Sequence, residues 1–284
     1  MNLHGTQTTK KDKMDVLFIS PGNAKGTYQE LAKDYSAIEP PTWALLLAES
    51  CRSVGFGVGL IDANAENLSN DQVVDRINEH NPRLICFVAY GQNVNAGTAN
   101  IKGIVWRKSG IPTMNPPEKV VPAERMDIDL PGYAWDLLPY EEKPLDLYRA
   151  PLWHADYNQD KRSPYAAIQT SLGCQFACDF CMINILNRND DDEIGVAGNY
   201  SLMRYWSPEF IIKEFDKLVN LGVETIKITD EMFLLNRKYY VPLCEMLRDR
   251  GYGKKLRMWA YSRIDTIRRP DLLKSVREAG IKWL

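Results

Sequence analysis

Apolar positions along this chain switch between two periods. Short unbroken runs such as Val16-Leu-Phe-Ile19 and Leu84-Ile-Cys-Phe-Val88 alternate with helical stripes such as residues 42–51. The runs read as strands buried on both faces, the stripes as amphipathic helices. The first half gives a strand over 15–20, a helix over 42–51 opened by Pro40-Pro41 and closed by Gly55, a strand over 57–62, a helix over about 70–80 and a strand over 83–88. This alternation predicts an α/β domain with a parallel, doubly wound sheet, whose ligands sit at the carboxyl ends of the strands. Those ends are Ser20-Pro21, Asp62-Ala63 and residues 89–93. Residues 101–111 follow as a hairpin around Ser109-Gly110.

Residues 112–163 break the pattern with many prolines and charges, yet Tyr133, Trp135, Leu137, Leu138, Tyr148 and Trp153 give the stretch too much apolar area for a free linker. His154 within it reads as a surface histidine, with a substrate-side acid or base as the alternative. Regular alternation then resumes. A strand over 166–173 precedes a helix over 207–221, with Ser207 as N-cap, Pro208 in the first turn and Gly222 as its stop. A strand over 223–229, a helix over 236–250, a strand over 256–261, a helix over 269–279 and the start of a strand at 281–284 complete the chain. Repeated βα units predict a partial barrel with its site at the carboxyl ends of the strands. The expected organisation is a polar tail over 1–13, an α/β domain over 14–111, a connector over 112–163 and a second βα domain over 164–284.

Composition narrows the partners. With 35 basic and 37 acidic residues the net charge is -2, so no bulk electrostatic case exists for nucleic acid. The start lacks the apolar core of a signal peptide and no window reaches the roughly 18 apolar residues of a membrane span. A cytoplasmic protein is expected. Cys51, Cys86 and Cys244 lie in apolar patterns and read as buried thiols.

The other three cysteines, Cys174, Cys178 and Cys181, follow the strand over 166–173 in a C-x3-C-x2-C spacing. Such crowding marks a metal site. Three thiolates are too few for a closed zinc site, which takes four ligands, and suit a [4Fe–4S] cluster with one iron left open. Zinc or a structural cysteine cluster is the alternative. The spacing, with Phe180 before the last cysteine, resembles the signature of the radical S-adenosylmethionine (SAM) superfamily. The resemblance implies that the open iron binds the amino and carboxylate groups of SAM, and that an electron from the cluster cleaves the sulfonium to a 5'-deoxyadenosyl radical. It also implies a small-molecule substrate and an electron donor such as flavodoxin or ferredoxin.

That superfamily usually places a Gly-Gly-Glu-like motif at the end of the next strand to bind the SAM ammonium. Asp230 and Glu231 stand there in this chain, and a carboxylate suits a donor of this kind. Ser262 and Arg263, after the following strand, are candidates for the SAM carboxylate or ribose; a turn shaped by an Arg263–Asp265 pair is the other reading. The acidic loop 187–193 reads as a solvated insert.

The order of elements over residues 14–100, with Pro40-Pro41 opening the first helix, resembles the cobalamin-binding domain that precedes the radical SAM domain in one large subgroup, and residues 130–139 resemble its interdomain strap. The Asp-x-His-x-x-Gly motif is absent, and about two βα units are missing between Asn100 and Ile101. Either an internal deletion or a small three-stranded sheet packed on the next domain accounts for the gap, and an exposed sheet edge is expected. The second domain stops at its fourth strand, so the sequence also looks truncated. Taken together these features predict a radical SAM enzyme of the cobalamin type, or a piece of one, with methyl transfer ahead of oxidative ring formation and with cobalamin binding weak or absent. A non-catalytic iron–sulfur or zinc-binding fragment is the rival.

Overall fold

The computed structural model describes residues 14–22, 38–88, 105–108, 111–114, 121–138, 148, 164–176, 178 and 203–284. The first sheet has three parallel strands, β1 (Val16–Ser20), β2 (Val58–Asp62) and β3 (Leu84–Phe87), in the order β2-β1-β3. A strand order that reverses beside β1 is that of a doubly wound sheet, with its ligand crevice at the β1/β3 carboxyl ends. Helix α1 (Thr42–Ser53) buries Ala44, Leu45, Leu46 and Ala48 and ends before Gly55, whose φ of 95° no other residue type adopts easily. Helix α2 (Asn70–His80) is opened by a reciprocal capping box between Ser69 and Gln72. Val73 and Ile77 of α2 pack on Leu17, Ile19 and Ile61 from the opposite side of the sheet.

The expected open edge is present. Among the described residues β3 pairs only with β1, and Leu84, Ile85 and Phe87 are 59%, 39% and 59% exposed. The same exposure corrects one expectation: Cys244 is buried, but Cys51 and Cys86, which pack in the cluster beside β3, the edge strand among the described residues, are only half-buried. The hairpin lies slightly later than its sequence suggests, with β4 (Val105–Lys108) antiparallel to β5 (Ile111–Met114).

In the second half, β6 (Tyr165–Ile168), β9 (Thr225–Ile228), β10 (Arg257–Ala260) and β11 (Ile281–Trp283) form a parallel sheet in sequential order. Sequential neighbours are the arrangement of a βα barrel; here the described strands form an open sheet. Its helices are α4 (Pro208–Asn220), α5 (Arg237–Asp249), the single turn α6 (Tyr252–Lys255) and α7 (Pro270–Glu278). Ser207 accepts the Phe210 N–H as N-cap of α4, with Pro208 in the first turn.

The strand expected over 166–173 is not continuous. It breaks at Gln169-Thr170, and Ser171–Leu172 (β7) turns away to pair antiparallel with Arg204–Tyr205 (β8). The cause is Asp230, described below.

The connector ties both halves together. Its short helix α3 (Met126–Asp129) caps α4, since Asp127 accepts from the Ser207 N–H at 2.9 Å and the Ser207 hydroxyl at 2.5 Å. The Trp206 indole donates to the Leu130 carbonyl at 2.7 Å. The Ala134 N–H donates to the Leu45 carbonyl of α1 at 3.2 Å, and the next residue, Trp135, donates its indole N–H to Glu214 of α4 at 2.8 Å. Gly132 makes the approach possible: its φ is 110°, and a Cβ there would lie 2.5 Å from Glu214 Oε1.

Candidate functional site

The base of the cysteine loop is fixed by a buried polar cluster. Asp230, two residues past β9, is fully enclosed; its Oδ1 accepts the Thr170 N–H at 2.6 Å and its Oδ2 the hydroxyls of Thr170 at 2.6 Å and Ser171 at 2.7 Å. Capture of the Thr170 N–H lifts the chain off the β6 ladder and directs it into β7. Tyr239 of α5 donates its hydroxyl to the Thr170 carbonyl at 3.0 Å, and Tyr133 of the connector both accepts from the Gln169 N–H and donates to the Gln169 carbonyl. Burial raises the pKa of Asp230, and the hydrogen bonds from Thr170 and Ser171 oppose the rise. Buried carboxylates persist when bonded in this way.

Beyond this base Leu172 leads to Gly173, with φ 91°, and then to Cys174 and Cys178. Both thiols are half-buried and outside any disulfide. Cys181 and Phe180 lie outside the described residues, as does His154, and among the described residues no group of three His, Cys, Asp or Glu side chains gathers around a metal position. The donor set fits an iron–sulfur cluster in its chemistry: two accessible thiols on one loop, rigid at its root, at the carboxyl end of the parallel sheet.

The structure separates the two carboxylates that the sequence paired. Asp230 is committed to Thr170 and Ser171 and has no exposed surface. Glu231 keeps a buried Oε2 without a hydrogen-bond partner. Its pKa is raised by burial first and by Asp230, and lowered by Arg204. A second unpartnered acceptor, Gln169 Oε1, lies at the end of β6, one strand over. Sequence inspection missed Gln169, because an amide inside an apolar run carries no pattern signal.

Ser262 and Arg263 follow β10. The Ser262 hydroxyl is bonded to the Thr266 hydroxyl at 2.7 Å, within the turn Ile264–Ile267. Arg263 pairs with Asp265 at 3.1 Å, as the turn reading requires, and also lies over the Phe176 ring of the cysteine loop at 4.1 Å from its centroid. The structure thus brings Arg263 to the cysteines while Ser262 serves the turn.

On the ladder, Ala167, Lys227 and Trp259 stand side by side across β6, β9 and β10. Lys227 pairs with Glu39, just ahead of α1, at 2.5 Å and lies 5.5 Å from the Tyr261 ring centroid. This mid-strand ammonium is a direct ionic link between the two halves.

Comparison with known proteins agrees with this geometry. Residues 168–284, the segment that carries the cysteine loop and β9 to β11, match the Radical SAM superfamily. Among curated relatives, the anaerobic magnesium-protoporphyrin IX monomethyl ester cyclase of Cereibacter sphaeroides is 29% identical over 38% of this chain and 16% of its own length. The hopanoid C-2 methylase of Rhodopseudomonas palustris is 27% identical over 49% of this chain and 24% of its own. The chain therefore spans less than a third of the length of these relatives. Across 93% of this chain and 41% of the other, the fold matches that of the cobalamin-dependent S-adenosylmethionine radical enzyme OxsB with aqua-cobalamin bound, with a TM-score of 0.59 and 15% identity. No helix among the described residues is long and apolar enough to cross a membrane.

Proposed function

We propose that this chain holds a [4Fe–4S] cluster through Cys174, Cys178 and Cys181 and binds SAM beside it, as part of a cobalamin-type radical SAM enzyme that transfers a methyl group to a small molecule. The observation that carries the reading is the cysteine loop itself, rooted by Asp230 at the carboxyl end of a sequential parallel sheet, with the unpartnered Glu231 oxygen next in the chain. When bound, the cluster supplies one electron for cleavage of the SAM sulfonium.

The protein's own contributions are positional. Thr170, Ser171, Tyr133 and Tyr239 hold the loop root, Glu231 accepts from the SAM amine, and the buried Trp259 and Tyr165 rings stack at 5.7 Å across the sheet. The hopanoid methylase favours methyl transfer over the ring formation of the cyclase, because its similarity extends over more of this chain. A cytoplasmic location and a flavodoxin- or ferredoxin-like electron donor complete the proposal.

The first sheet is a poor seat for cobalamin. Asp62, at the end of β2, is closed off by the Tyr148 hydroxyl at 3.1 Å, and among the described residues no strand lies beyond β3 to offer a further strand end. Uptake of cobalamin is accordingly weak or absent in this chain. The deciding experiment for the main reading is anaerobic reconstitution with iron and sulfide, followed by assay of 5'-deoxyadenosine from SAM under a low-potential reductant. About four irons and four sulfides with 5'-deoxyadenosine formed support it; stoichiometric zinc without sulfide overturns it.

A further inference from the structure

We infer that Arg263 is a positioning residue for the cysteine loop and that its charge makes a cluster held there easier to reduce. The inference rests on the cluster reading above and adds a residue that tunes the site. Phe176 stands between Cys174 and Cys178 in the chain, and the guanidinium carbon of Arg263 lies 4.1 Å from the centre of its ring. That separation is well inside the range of a cation–π contact. The contact joins two segments more than eighty residues apart in sequence, the cysteine loop and the turn after β10.

The turn holds the guanidinium in place. The Thr266 hydroxyl donates to the Arg263 carbonyl at 2.8 Å and is bonded to the Ser262 hydroxyl, so the backbone that carries Arg263 is fixed. Asp265 accepts from its Nε at 3.1 Å. One edge of the guanidinium is thus anchored to a carboxylate while its face lies on the loop. The hydrogen bond to Asp265 is the main cause of the raised Arg263 pKa.

The consequence follows from charge. Thiolate ligands already concentrate negative charge on the loop, and reduction by one electron adds another. A fixed cation stabilises the more negative state more, and Asp265 offsets part of that effect through its own charge. Net charge close to the sulfurs is one of the recognised levers on the potential of such clusters. Lysine keeps the charge but has no planar face for the Phe176 ring.

The test is a redox titration of the anaerobically reconstituted full chain without SAM, followed by electron paramagnetic resonance, for wild type, Arg263→Gln, Arg263→Lys and Asp265→Asn. At the potential where wild type is half reduced, Arg263→Gln is expected to show a reduced-to-oxidised ratio about threefold lower, tenfold being about 59 mV for a one-electron couple. Arg263→Lys should recover part of the difference, Asp265→Asn should shift the ratio the other way, and iron and sulfide content should stay at the wild-type level. Unchanged ratios in Arg263→Gln and Asp265→Asn overturn the inference while leaving the cluster reading intact. If Arg263→Gln fails to load, Asp265→Asn decides, and an unchanged midpoint there overturns the inference. Wild-type protein that takes up no iron and sulfide overturns the cluster reading and the inference with it.

Discussion

Thr170 and Asp230 are joined twice, backbone N–H to Oδ1 and hydroxyl to Oδ2, both at 2.6 Å, and this pair decides where the cysteine loop begins. Removal of the carboxylate leaves the Thr170 N–H and two hydroxyls buried without acceptors. Asp230→Ala is therefore expected to cost about 3–5 kcal/mol of stability, the range for breaking a buried charged network. It should also lower iron retention, because the loop root loosens. Urea denaturation and iron analysis of the same preparation check both effects. A variant as stable as wild type with full iron content would show that the loop is held by something else.

Glu231 should behave differently. Its Oε2 makes no hydrogen bond, and the burial that raises its pKa outweighs the attraction to Arg204, so Glu231→Gln is expected to keep stability and iron content. SAM affinity should fall by about 1.5–3 kcal/mol, the scale of a hydrogen bond to a charged group. Calorimetric titration of SAM into the reconstituted protein measures this, and equal affinity in the two proteins would move the amine site elsewhere.

The cysteines divide into two sets. Cys174→Ala, Cys178→Ala and Cys181→Ala should each abolish the brown chromophore of the reconstituted protein or its response to SAM. Cys51→Ala and Cys244→Ala should leave it unchanged, since both lie in apolar packing. Visible spectra of the five variants, prepared side by side, distinguish the sets.

Asp62 predicts a pH dependence of stability. Burial pushes its pKa up from 3.8 to about 6, against hydrogen bonds from Ala65, Tyr148, Ser20 and Asn64. A folded-state pKa above the unfolded value means that the fold favours the protonated form. Stability from this group is greatest below the unfolded pKa and declines as pH rises to about 6, by roughly 3 kcal/mol in all. Between about pH 5 and about pH 7.5 the loss is about 1.4 kcal/mol, and Asp62→Asn should remove it. Urea midpoints of the two proteins at both pH values test the sign; parallel profiles would contradict it.

Local signals made much of the fold legible in the sequence. Ser207, Pro208 and Gly222 bound α4 within a residue, because caps and stops are set by neighbours in the chain. The alternation of strands and helices likewise made two parallel α/β sheets legible, while the strand orders come from the structure. What escaped was non-local. The break between β6 and β7 depends on a carboxylate 60 residues further on, and β8 is a two-residue pairing too short to show a period. The contact of Arg263 with Phe176, the link from Lys227 to Glu39 and the closure of Asp62 by Tyr148 likewise join segments that no local pattern connects. Among the candidate site residues, Asp230 is committed to Thr170 and Ser171, Glu231 keeps an unpartnered Oε2, and Arg263 lies over Phe176, none of which a local pattern foretells.

The consecutive connector residues Tyr133, Ala134 and Trp135 are bonded to Gln169 at the loop root, Leu45 of α1 and Glu214 of α4. Three attachments within three residues leave the segment no slack. A rocking of the first sheet against the second, on the scale of one hydrogen-bond length, would be transmitted to the backbone just ahead of Cys174. The connector thus ties the position of the loop root, just ahead of Cys174, to the positions of α1 and α4.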